Sequence, residues 1–182
     1  MTVPDRLTRR RRVLGAIAVA GGLIAFLASF LTWISTPAVD GGATDINGWG
    51  GITGASQIAG TNLNDVLDGA STYRPGLIGL LFGVVAAVAG LAIIAVSQGR
   101  RPHRVTAVVL VLAGGVLLAW GVFRGVAPGD AGVLDPGEAA AGWGPWLTAL
   151  GGALVLAVAV VILAGRIDPA RPTTRRRGIQ PR

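Results

Sequence analysis

Four apolar runs organise the chain, over residues 13–34, 76–96, 105–123 and 146–164, and none contains an Asp, Glu, Lys, Arg or His. Each is about 19 to 22 residues long, the length an α-helix needs to cross a hydrocarbon core about 30 Å thick. A helix on the surface of a soluble globule shows a polar stripe every three to four residues, and these runs show none. The pattern predicts four transmembrane helices. They are separated by a long connection over 35–75, a short one over 97–104, and a second longer loop over 124–145 that is rich in Gly, Ala, Pro and acid. The expected fold class is therefore all-α integral membrane: a four-transmembrane-helix bundle over 13–165, preceded by a basic arm over 1–12 and followed by a basic disordered tail over 166–182. With 52 % hydrophobic and 14 % charged residues, the chain is too poor in polar side chains for a soluble domain of this length. A cleaved signal peptide is the competing assignment for the first run. Its apolar stretch is too long for an h-region, and Pro37 spoils the cleavage candidate Thr36-Pro37-Ala38.

The connections carry their own local signals. Asn47-Gly48 between Ile46 and Trp49 predicts a hairpin. Thr61 is placed to cap a short helix running to Leu67 and closed by Gly69, so the first loop should form a small folded cap. The loop over 124–145 is expected to be irregular. Residues 97–104 should make a tight turn through Pro102, leaving the sole histidine, His103, solvated between arginines.

Charge orients these elements. All sixteen basic residues are arginines. Fourteen lie before run one, between runs two and three, or after run four, against only Asp5 and Asp168, a formal +12. The other two connections hold Arg74 and Arg124 against seven acids, a formal −5. Short cytoplasmic segments carry the arginine excess, so both termini are expected in the cytoplasm of a multi-pass plasma-membrane protein. The pI near 11.7 then reflects tethered charge beside the bilayer. Anionic lipid headgroups are the expected contact for Arg9, Arg10, Arg11, Arg12, Arg175, Arg176 and Arg177, with nucleic acid not a partner. The aromatics agree. Trp33, Tyr73, Trp120, Trp143 and Trp146 fall at the outer ends of the runs and Trp49 in the first outer loop, where amphipathic rings favour the headgroup boundary. They are candidates for interface anchors or partner contacts.

Small residues recur four apart in every run: Gly21, Ala25 and Ser29; Gly79, Gly83 and Ala87; Gly115 and Ala119; Ala149, Ala153 and Ala157. Such spacing lets helix backbones approach in lipid. Gly76, Gly83 and Gly90 also recur every seven residues, which suits a left-handed seam. The polar side chains within the runs, Ser29, Thr32, Thr106 and Thr148, sit toward helix ends, and no proline breaks a run. Transporters place polar groups and broken helices at the midplane, so a solute path within one subunit is not expected. No cysteine is present, which excludes thiolate metal sites and disulfides. Asp65 and Asp68 with Asn62, and Asp40 and Asp45 with Asn47, form oxygen-rich groups that match no calcium loop. Neither a cofactor nor a catalytic set is expected.

The basic start, Leu31-Thr32-Trp33, the Gly-rich outer loop, and Gly142-Trp143-Gly144-Pro145-Trp146-Leu147 before Gly151-Gly152 carry a resemblance over most of the chain. It resembles the small four-helix membrane proteins of actinobacteria and, among named groups, the tryptophan-operon-associated membrane proteins. The long first loop is similar to that of claudin-like proteins, though the cysteine pair of that family is missing. The functional expectation is a non-enzymatic accessory or scaffold subunit that packs against other membrane proteins or envelope lipids. The alternative is a small transporter or channel formed by oligomerisation.

Overall fold

A computed structural model describes residues 3–36, 43–55, 57–67, 72–95, 100–129 and 139–165. The chain runs α1 (Val3–Ala28), β1 (Thr32–Thr36), β2 (Thr44–Asn47), β3 (Ile52–Gly54), α2 (Leu63–Val66), α3 (Gly76–Ala95), α4 (Arg100–Val126), β4 (Ala140–Ala141) and α5 (Trp143–Leu163). Among the described residues, four helices are long and apolar enough to cross a membrane, α1, α3, α4 and α5. The molecule is mostly helical, with a small sheet present among the described residues.

The sheet corrects the first predicted helix. That run was expected to stay helical to residue 34, but α1 stops at Ala28. Three short-range bonds close its last turn, from the N–H groups of Ser29, Phe30 and Leu31 to Phe26, Leu27 and Ala28. The Trp33 indole also donates to the Ala28 carbonyl, at 2.9 Å. The following Thr32-Trp33-Ile34-Ser35-Thr36 is β-branched and aromatic at four of five positions, which favours a strand. β1 takes its partners from both long connections, in the order β3-β2-β1-β4. The stretch 124–145 is thus not wholly irregular, since Ala140 and Ala141 pair with Ser35 and Ile34. The predicted hairpin exists as β2–β3, but its loop is longer than the two residues expected: Asn47 Oδ1 accepts from the N–H of Trp49 and of Gly51, both at 2.9 Å. Asn62, rather than Thr61, caps α2, accepting from Asn64 N–H at 2.9 Å.

Two further boundaries move. α4 begins at Arg100, so Pro102 occupies the first turn, where a missing N–H costs nothing. His103 is accordingly buried in that helix, not solvated in a turn. α5 begins at Trp143 with Pro145 likewise in its first turn. Its end is marked by Gly165 at φ +70°, the left-handed position that glycine fills most cheaply.

α1 packs between α3 and α5, and α4 closes the ring against α5 and α3. The core they share is small and apolar: Ala18, Ala86, Ala89, Ile93, Ala107, Leu110, Ala113, Val155, Val158, Ala159 and Ile162. Glycines set the helix spacing. On the α1–α3 seam a Cβ on Gly90 would stand 2.8 Å from the Gly15 carbonyl, and one on Gly83 would stand 2.7 Å from that of Gly22. One on Gly76 would stand 2.6 Å from that of Ser29. The heptad glycines of α3 therefore meet a matching heptad, Gly15, Gly22 and Ser29, on an antiparallel neighbour. Gly79 faces the Ala25 carbonyl, and the Ala87 backbone lies against Gly22. In the other two helices the four-apart pattern holds only at Ala149, which is buried with its backbone nitrogen 2.5 Å from where a Cβ on Gly121 would stand. Nothing approaches a Cβ on Gly115, and Ala119, Ala153 and Ala157 are exposed. There the close approaches are Gly114 to Gly152 and Gly121 to Pro145, again seven apart along each helix.

Candidate functional site

The sheet, α2 and their connections gather at one end of the bundle, where α1 and α4 end and α3 and α5 begin. The arginine-rich first turns of α1 lie at the opposite end, with Arg9, Arg10 and Arg12 exposed and Arg11 half-buried. Arg175, Arg176 and Arg177 fall outside the described residues.

Register gives the cap sheet two faces. Ile34 pairs with Ile46 and Ile46 with Ile52, a row of isoleucines buried with Leu63 and Tyr73. The alternate positions place Ser35 opposite Asp45, and Asp45 opposite Thr53. Directly opposed residues share a face, so this second row is polar and faces away from the isoleucines.

Where the polar row meets the start of α5, it opens a cleft of about 620 Å³ lined by Thr32, Ser35, Asp45, Ala141, Gly142, Trp143 and Trp146. That volume falls in the range of small-ligand clefts, about 300–1,000 Å³. Backbone contacts fix its walls. Gly142 donates to the Trp33 carbonyl at 3.1 Å, and Gly144 is held against the Trp33 ring, where a Cβ would stand 2.5 Å from the indole. The Trp146 ring rests on Gly125, 2.9 Å from where a Cβ would stand. Trp143 is held by neither contact and is 74 % exposed. The Asp45 carboxylate makes no hydrogen bond or ion pair among the described residues.

The other predicted surface aromatics lie elsewhere. Trp33 is 1 % exposed and Tyr73 is 3 % exposed, so both serve the protein's own interior and neither can reach a headgroup or a partner. Trp49 is half-buried and stacks on Phe30 at 5.9 Å. Trp120 is half-buried against Phe123, and its indole donates to the Pro75 carbonyl at 3.0 Å. Trp143 and Trp146 are the tryptophans among the described residues that stand exposed.

Arg124 is a buried group that charge counting alone did not single out. The sequence pattern puts it in the second loop; it lies instead in the last turn of α4, at 3 % exposure. Its guanidinium donates to the Tyr73 hydroxyl at 3.4 Å and sits 5.7 Å from the Tyr73 ring and 5.9 Å from the Trp120 ring. The helix C-terminus and two aromatic faces both favour a cation there. The four-residue step from Trp120 to Arg124 was the sequence signal for this contact. Burial raises the Tyr73 phenol above its ordinary value, while the charge and hydrogen bond of Arg124 pull it down.

The two oxygen-rich groups do not assemble as ion sites from what is described. Asn47 Oδ1 and Asn62 Oδ1 are already bonded to backbone N–H groups, and Asp40 and Asp68 lie outside the described residues. Among the described residues no three of His, Cys, Asp and Glu converge on a metal position. No protein-family model matches the chain, and no well-characterised protein matches it in sequence.

Proposed function

We propose that the protein is a non-catalytic accessory subunit of the plasma membrane that binds another membrane protein through its cap end. The cap end faces away from the cytoplasm, and the opposite end lies against anionic headgroups. The observation that carries this proposal is the exposed Trp143 beside the cleft. Aromatic residues are enriched at protein interfaces, and this one is flanked by a partly fixed aromatic neighbour and polar side chains. The arginine asymmetry supports the orientation.

Extraction in a mild detergent followed by crosslinking tests it. The expected product is a discrete complex with one heterologous membrane protein at fixed stoichiometry. Substituting both Trp143→Ala and Trp146→Ala should remove that complex while leaving membrane insertion intact. A homo-oligomer with no second protein would favour the alternative of a channel or transporter between copies. A lone monomer in membranes whose other complexes survive its deletion would overturn the accessory function.

A further inference from the structure

We propose that the cleft between the cap sheet and α5 receives a cationic side chain, arginine or lysine, presented by the partner's extracytoplasmic segment. The proposal rests on the docking function above and names the chemistry of the contact.

Three observations converge. The first is the carboxylate. Asp45 points from the polar row of the sheet into the cleft, beside Ser35, and is without a counter-ion among the described residues. Asp45 is half-buried, and a cation that meets a carboxylate there makes charge-assisted hydrogen bonds, which are stronger than neutral ones. The second is the aromatic wall. Trp143 and Trp146 line the same cleft, and indole faces attract cations within about 6 Å of the ring centroid, more strongly than phenol or phenyl faces do. A carboxylate, hydroxyls and two indoles form a set that suits a guanidinium or ammonium with an aliphatic stem. It suits an anion poorly. The third is charge complementarity. Residues 35–75 and 124–145 carry a formal −5, and of the two arginines in that count Arg124 is buried in the last turn of α4 between Tyr73 and Trp120. It therefore does nothing to neutralise the surface a partner meets.

The full-length protein in detergent, titrated with N-acetyl-arginine amide and followed by tryptophan fluorescence, tests the chemistry without the partner. Asp45→Asn should weaken binding tenfold or more, and Asp65→Asn, an exposed acid on α2, should leave it unchanged. The neutral isostere N-acetyl-citrulline amide should bind at least tenfold more weakly. Asn has nearly the shape of Asp, and unchanged thermal unfolding of Asp45→Asn shows that the fold is kept. Equal binding by Asp45→Asn, or by citrulline, overturns the proposal. Tighter binding of glycerophosphoethanolamine than of the arginine amide would make the cation a lipid headgroup and overturn it as well. Complex formation separates the two claims. If Asp45→Asn keeps the partner complex while Trp143→Ala with Trp146→Ala loses it, docking stands and the cation contact fails. If the wild type forms no complex, docking fails, whatever the titration shows.

Discussion

Arg124 is held at 3 % exposure by two aromatic faces and one hydroxyl, and with the Trp120 indole on the Pro75 carbonyl it ties the end of α4 to the approach to α3. Its partner Tyr73 is the chain's sole tyrosine, so its ionisation can be followed without ambiguity. The phenol is neutral at pH 7, and desolvation, the largest influence, holds its folded value above the ordinary one near 10. The unfolded chain thus ionises first as pH rises. Stability from this group is complete below the ordinary phenol value and is lost as pH climbs through the raised folded value. Absorbance at 295 nm of the folded protein should show a midpoint above that of the denatured chain. A midpoint at or below the denatured value would mean that Arg124, and not burial, governs the ring. At this scale the sequence is only partly legible. The bias of tryptophans toward one end is visible in it. Which rings are exposed depends on backbone excursions, such as β1 turning Trp33 inward, that no local pattern encodes.

At the scale of elements, α1 and α3 meet along a seam of residues seven apart, with backbone carbonyls where side chains would otherwise stand. In lipid such close packing, rather than burial from water, holds helices together. Gly83→Val places two methyls against the Gly22 carbonyl and the Phe26 backbone. It should destabilise the bundle by about 1–3 kcal/mol or more, because backbone on a neighbouring helix cannot yield as a side chain does. Gly115→Ala, with open space around its Cβ, should be neutral or slightly stabilising, since alanine is the better helix former by about 1 kcal/mol. Unfolding in graded denaturing detergent separates the two. Equal loss from both would show that the loss reflects insertion and not the seam. Helix number was legible because runs without charge have one reading in a bilayer. The heptad at Gly76, Gly83 and Gly90 was legible too. Its partner, Gly15, Gly22 and Ser29, was hidden by the denser four-apart pattern, and the sheet by the continuity of an apolar run into β-branched residues.

For the whole molecule, the cap and its cleft lie at one end of the bundle, and the described arginines of α1 lie at the other. Both proposals, docking and cation capture, depend on which side of the membrane each end occupies. The chain has no cysteine, so single cysteines report position against a silent background. Gln57→Cys stands on an exposed cap turn and Arg9→Cys on an exposed early turn of α1. In intact cells a membrane-impermeant maleimide should label Gln57→Cys at once and Arg9→Cys only after permeabilisation. The opposite pattern, Arg9→Cys labelled in intact cells and Gln57→Cys protected, would place the cap in the cytoplasm and overturn both proposals.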